Sequence, residues 1–221
     1  MLLTEIKKLL NPVLYSIIEK QNFKELRPAQ EKAINAGLFD FKNILVCTPT
    51  ASGKTLIAEM AAMNAILNNK GKAIYVVPLR ALATEKYNDF RKKYGHIARI
   101  RISIGDFDSA DTYLEKSDLI ITTSEKLDSL IRHNAPWLHD IKVVVIDEIH
   151  LITDIERGPT LEILITILKE ILGNVQLIGL SATIGNPQEL AGWLNANLVE
   201  DDWRPVELRR GIYFNGEIEF Y

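Results

Sequence analysis

From Lys42 onward the sequence alternates between short β-rich runs and stretches with helical spacing, and this alternation constrains the fold more than any other feature. The β-rich runs fall at 43–47, 73–77, 99–104, 119–122, 143–146 and 175–180. The helical stretches fall at 54–67, 79–93, 124–132, 159–172 and 187–194. Strand, helix, strand in repetition calls for a mostly parallel sheet joined by right-handed crossovers, an α/β fold. Ile74-Tyr75-Val76-Val77 and Val143-Val144-Val145-Ile146 are unbroken apolar runs, as strands covered on both sides are, which puts helices on both faces. Ahead of the alternation, Asn11-Pro12 reads as an N-cap followed by proline at the first helical position. A helix through Leu14, Ile17 and Ile18 should follow, then a second over about 28–36, closed by Gly37.

The chain has enough apolar content to bury such a core. With 47% hydrophobic and 25% charged residues over 221 positions, it suits one large domain or two small ones. A disordered chain, a collagen-like repeat and a disulfide-stapled miniprotein are thereby excluded. Cys47 is the single cysteine, so no internal disulfide and no cysteine-based metal site is available, which fits a reducing interior. No apolar run approaches the ~18 residues of a membrane span. Met1-Leu2-Leu3-Thr4-Glu5-Ile6-Lys7-Lys8 lacks the basic-then-apolar order of a signal peptide, so a cytoplasmic protein with no membrane partner is expected. The net charge of −3 hides an asymmetry. Residues 1–110 carry 17 Lys and Arg against 10 Asp and Glu, whereas 111–221 carry 9 against 19. An anionic partner handled by one half and two complementary halves of one fold explain that split equally well.

The strongest chemical signal is Thr48-Pro49-Thr50-Ala51-Ser52-Gly53-Lys54-Thr55, set between an expected strand and an expected helix. A tight turn at a helix N-terminus aims backbone N–H groups and the positive dipole end at an anion. Gly53 lets the backbone approach, Lys54 can reach β- and γ-phosphates, and the Thr55 hydroxyl can ligate Mg²⁺. The general phosphate-loop consensus opens with Gly, where this loop has Thr48. A second signal is Asp147-Glu148-Ile149-His150, two carboxylates at the carboxyl end of a buried strand, the edge where parallel sheets bind ligands. Asp147 would hold the metal directly or through water, and Glu148 would orient and deprotonate an attacking water. The plain alternative for the pair is an acidic helix start favoured by the dipole.

Together these segments resemble the first motor domain of a superfamily-two helicase of the DExH-box class, and within it the archaeal Hjm-type (Ski-like) DNA helicases. Phe23-Lys24-Glu25-Leu26-Arg27-Pro28-Ala29-Gln30 is similar to the Q motif, which implies that Gln30 recognises adenine. Thr48–Thr55 resembles motif I in the form usual for that subfamily, which makes Thr50, Ala51, Ser52, Gly53, Lys54 and Thr55 the nucleotide-binding set. Pro78-Leu79-Arg80-Ala81-Leu82 and Thr123-Ser124-Glu125-Lys126 resemble motifs Ia and Ib, implying nucleic-acid contacts by Arg80, Thr123 and Ser124. Asp147-Glu148-Ile149-His150 resembles the DExH box, which with Lys54 forms the implied catalytic group. Ser181-Ala182-Thr183 resembles motif III, with Ser181 and Thr183 expected to relay nucleotide state through hydroxyls near Asp147 and His150. Gly105-Asp106-Phe107-Asp108-Ser109 and Trp203-Arg204-Pro205 are similar to further Hjm-type signatures.

The resemblance implies a RecA-like P-loop NTPase fold using ATP and Mg²⁺ on single-stranded or forked DNA, with 3′→5′ movement and fork repair; RNA stays open on the residues alone. It divides the chain into a helical segment (1–20), an ATP-binding motor domain (21–203) and the start of a linker or second domain (204–221). The pattern after the acidic turn Glu200-Asp201-Asp202 agrees, because a new strand pattern begins as the chain stops. A β-tail closing the sheet edge is the alternative. A second motor domain of the same parent chain is the implied partner, since nothing after Trp203 supplies the arginine finger of this class. Other readings use the same loop. A GTPase needs an Asn-Lys-x-Asp guanine reader, and Asn69-Lys70-Gly71-Lys72 lacks the acid. A small-molecule kinase does not normally pair its loop with Asp-Glu-x-His, and a nucleotide-dependent binding module needs no turnover. Lys92 and Lys93 are expected on a solvated helix end, and His96, His133 and His139 lack metal-ligand spacing.

Overall fold

The computed structural model describes residues 1–21, 23–105, 111–207 and 209–220. Seven strands form one sheet: β1 (Ile44–Cys47), β2 (Lys72–Val77), β3 (Ile100–Ser103), β4 (Leu119–Thr123), β5 (Ile141–Ile146), β6 (Gln176–Ser181) and β7 (Asn197–Glu200). Their order is β3-β4-β2-β5-β6-β1-β7 and every pairing is parallel, as the alternation requires. One face carries α1 (Pro12–Lys20), α2 (Pro28–Asn35), α3 (Lys54–Leu67) and α4 (Arg80–Tyr94). The other carries α5 (Ser124–Arg132), α6 (Gly158–Leu172) and α7 (Pro187–Leu194). The period-two side-chain rule divides each strand between two cores. Ala73, Tyr75 and Val77 of β2 face the first, while Ile74 and Val76 face the second.

Residues ahead of the sheet join the first core, where Leu3, Ile6, Leu10, Leu14 and Ile18 are buried together with α3. Asn11 fixes that junction, because its side chain caps α1 through Val13 N–H (3.0 Å) while its own N–H donates to Asn64 Oδ1 on α3 (2.8 Å). α3 is buried nearly all round, and the one carboxylate on its buried stretch is paired. Glu59 accepts from Lys93 Nζ and Tyr94 Oη, both at 2.7 Å. Lys93, about a third exposed, lies at the border of the solvated helix end and turns its charge toward this buried acid, whereas Lys92 is exposed.

Two features depart from the sequence pattern. β7 is an edge strand beside β1 with no precursor among the expected runs. Only Val199 of its four residues is buried, so it carries almost no apolar signature. The tail forms a separate antiparallel hairpin, β8 (Gly211–Phe214) and β9 (Glu217–Phe220), whose eight residues are all exposed. It does not close the sheet edge. Asn215 and Gly216 take φ of 49° and 90°, the left-handed pair of a tight two-residue hairpin turn. Positions 106–109 of the signature starting at Gly105 lie outside the described residues. Among the described residues no helix is long and apolar enough to cross a membrane.

Candidate nucleotide site

The motif residues gather along the carboxyl ends of the strands, where open parallel sheets take their ligands. β1 runs into loop 48–53, β5 ends one residue before Asp147, and only β6 lies between β1 and β5. The loop and the carboxylates therefore face each other across a single strand. Asn69, Lys70 and Gly71 precede β2 and so lie at the opposite edge, which removes them as a base reader for this site.

The loop owes its shape to two left-handed residues, Ala51 (φ 64°) and Gly53 (φ 96°). A Cβ at Gly53 would stand 2.5 Å from Gln30 Nε2, so glycine permits the start of α2 to pack there. Gln30 is 1% exposed. Its oxygen accepts the Arg27 N–H (2.9 Å) and its amide donates to the Gly53 carbonyl (3.1 Å). The residue expected to read adenine thus also braces the phosphate loop. Arg27 donates to the Ala51 carbonyl and lies 5.3 Å from the centre of the Trp203 ring, tying the loop to the tail. Thr50 and Ala51 are exposed at the tip, while Thr48 and Ser52 share a buried hydroxyl contact of 2.6 Å. Lys54 folds over its own loop, donating to the carbonyls of Thr48 (2.7 Å) and Pro49 (3.3 Å). Burial lowers its pKa from the ordinary lysine value, against the Glu148 and Asp147 carboxylates, which favour the charge.

The donor set for a divalent cation is present. Lys86 Nζ on α4 donates to Thr55 Oγ1 (3.2 Å) and pairs with Asp147 Oδ2 (3.6 Å), so one cation already touches both oxygens. Two hard oxygen donors around a site completed by phosphate and water suit Mg²⁺, which takes few protein ligands. Tyr75 Oη donates to the same Asp147 oxygen (2.8 Å). Burial, reinforced by Asp147, holds that phenol far above its ordinary pKa and keeps it a donor. Asp147 Oδ1 accepts the Glu148 N–H (3.1 Å), and Glu148 takes φ 52°, a conformation costing about 1 kcal/mol for a residue with a side chain.

His150 Nδ1 lies 3.4 Å from Glu148 Oε2 and 3.4 Å from the Ala182 N–H. A single nitrogen donates to the carboxylate only when protonated and accepts the amide only when bare, so His150 is a two-way link between Glu148 and the end of β6. In this structure the contact from the end of β6 to His150 is made by the backbone amide of Ala182 rather than by a hydroxyl. Ser181 Oγ is buried without a hydrogen bond of ordinary geometry, its contact with the Cys47 thiol being weak, and Thr183 is exposed. Burial, with the Glu200 charge adding to it, pushes that thiol up to about 11.

The candidate nucleic-acid residues divide. Arg80 opens α4 and is exposed. Thr123 and Ser124 are only 4% and 7% exposed, and the Thr123 hydroxyl caps α5 by accepting the Lys126 N–H (3.4 Å). Both residues are thus largely covered at the junction of β4 and α5. Sequence reasoning missed Tyr75, Lys86, Arg27 and the Ala182 amide. Tyr75 alone left a signal: a phenol inside an aliphatic strand covered on both faces must find a partner.

Fold and site together define a phosphate-loop ATPase-type motor domain, and comparison with known proteins agrees. The family model described as "DEAD/DEAH box helicase" matches residues 27–190, and the chain belongs to that family. It is 60% identical over 211 residues to the ATP-dependent DNA helicase Hel308 of Methanocaldococcus jannaschii, covering 92% of this chain and 17% of that protein. It is 52% identical over 200 residues to the Hel308 of Pyrococcus abyssi, covering 90% and 28%. The crystal structure of the DUF1998 helicase MrfA bound to DNA superposes with a TM-score of 0.77 at 25% identity, over 88% of this chain and 30% of that one. The chain thus spans between 17% and 28% of the length of these curated relatives.

Proposed function

We propose that this chain is the first motor domain of an ATP-dependent DNA helicase of the archaeal Hjm type, binding ATP with Mg²⁺ at the carboxyl edge of the sheet. The observation that carries this reading is the meeting of Thr55 and Asp147 around one cation, beside a loop whose lysine is held only by two of the loop's own carbonyls, partners that phosphate oxygens could replace. Loop amides and the start of α3 receive the phosphate tail, with Gln30 and Arg27 holding the loop's shape from below. Bound there, Mg²⁺ supplies charge neutralisation on the phosphate oxygens. Glu148 positions the attacking water and accepts its proton. His150 Nδ1 would bond either Glu148 or the Ala182 amide at the end of β6, so a change at one releases the other. A DNA strand would lie across the same edge, met by Arg80 and by amides at helix starts, so recognition is of the backbone and weakens with salt.

Competition titration against a fluorescent ADP analogue tests the nucleotide half. ATP and ADP should displace it in Mg²⁺ and GTP should do so poorly, with binding reduced at least about tenfold in Lys54→Ala. Adenine preference should vanish in Gln30→Ala. Equal competition by GTP would return the chain to the other phosphate-loop classes.

A further inference from the structure

Lys86 is not explained by the fold. It lies two turns into α4, its side chain largely buried, with its ammonium between Thr55 Oγ1 (3.2 Å) and Asp147 Oδ2 (3.6 Å) and 5.7 Å from the centre of the Tyr75 ring. An ordinary helix-surface lysine would extend into water, because holding a long side chain in one place costs up to about 2 kcal/mol of rotamer entropy. Here three groups from three elements converge on it: the start of α3, the end of β5 and the middle of β2. Asp147 has a second oxygen bound to the Glu148 N–H, and Tyr75 donates to the first, so the carboxylate is held with one oxygen aimed at the ammonium.

We propose that Lys86 is a built-in counter-cation of the metal site, bridging the two protein oxygens that would hold Mg²⁺ and exchanging with it as metal and nucleotide load. This rests on the nucleotide-site reading above and deepens it. A metal ion on the carboxylate oxygen that Lys86 now faces would repel the ammonium, by several kcal/mol at about 4 Å even at the effective dielectric of a protein surface. Metal entry would therefore favour a Lys86 side chain turned out of the site. The displaced ammonium stays within reach of the phosphate tail, and where metal is withheld it can serve those oxygens in the metal's place. Lys86 is thus a positioning residue whose charge sets how strongly nucleotide binding depends on the metal. Its position on α4, the helix that begins with Arg80, makes that helix a party to the exchange.

The test measures the dissociation constant of a fluorescent ADP analogue on residues 1–221, once in Mg²⁺ and once in EDTA, and takes the ratio of the two. Lys86→Met should bind the analogue more tightly in Mg²⁺ and more weakly in EDTA, raising the ratio by about tenfold. Lys86→Arg, which keeps the charge, should leave the ratio near the wild-type value. Thermal melts confirm that each variant is folded, and Lys86→Gln replaces the methionine variant should that one fail. Equal weakening in both conditions, or a ratio unchanged by loss of charge, overturns the proposal and leaves Lys86 a packing residue. Failure of the underlying site reading looks different: the wild-type chain would then bind no analogue in either condition, or bind it undiminished after Lys54→Ala.

Discussion

Glu59 shows what a single side chain contributes here. It is 2% exposed in the most buried helix, and its two oxygens are consumed by Lys93 and Tyr94 of α4. The desolvation cost of such a carboxylate is offset only while both partners remain, so removing one side differs from replacing the pair. Lys93→Met should lower unfolding free energy by about 3 kcal/mol in urea titration, leaving a buried carboxylate without its counter-charge. Glu59→Leu combined with Lys93→Met should cost clearly less than the single change. If the double variant is the worse of the two, the pair contributes net stability rather than register between α3 and α4. Neither partner shows in the sequence, because 34 residues separate Glu59 from Lys93 and no local period connects them. Lys86 escaped for the same reason, its carboxylate standing 61 positions downstream on another element. The phosphate loop and the Asp147 box were legible because their chemistry lies within eight and four consecutive residues, each bounded by a strand.

At the scale of elements, legibility followed burial. The strands covered on both faces announced themselves by unbroken apolar runs, and β2, β5 and β6 lie where those runs place them. β7 stayed silent because an edge strand contacting the core through one residue needs no pattern. Polar side chains reinforce the entry into the fully buried strand β1. Gln176 donates to the carbonyls of Leu38 (2.9 Å) and Lys42 (2.8 Å), and Asn43 accepts the Leu177 N–H (2.9 Å). These side chains stand in for ladder bonds just where the chain enters β1, so they set the height from which the phosphate loop departs. The hairpin of β8 and β9 has no such anchoring. Ile212, Tyr213, Phe214, Ile218 and Phe220 are all exposed on it, and a lone two-stranded hairpin is at best marginal in water. Amide exchange should therefore replace protons across Gly211–Phe220 within the shortest labelling time, while β1, β2 and β5 resist until global unfolding. Protection of the hairpin comparable to that of the central strands would mean that something covers its apolar side chains in solution.

At the scale of the whole molecule, the basic half of the sequence supplies α1 to α4 on one face of the sheet and the acidic half supplies α5 to α7 on the other. Most of the acidic excess lies in loops and the tail rather than in the helices. Nucleotide-site groups come from both: Lys54, Thr55 and Lys86 from the basic side, Asp147, Glu148 and His150 from the acidic side. Positive and negative side chains therefore meet at this site, and an anion entering there needs a positive supplement from elsewhere as phosphoryl transfer spreads charge over its oxygens. Arg27 is committed to the loop carbonyl of Ala51 and to Trp203. Arg204, next in the tail, is close enough for its charge to oppose that of Lys54. In related enzymes an arginine delivered from a second body is worth about 10³–10⁵ in rate, and a motor cycle requires two bodies closing on the nucleotide. Residues 1–221 by themselves should bind nucleotide weakly and turn it over barely, with no stimulation by single-stranded DNA in a steady-state phosphate-release assay and no unwinding. DNA-stimulated turnover would overturn that expectation, and its loss in Arg204→Ala would locate the stabilising charge in the tail rather than in a second motor domain.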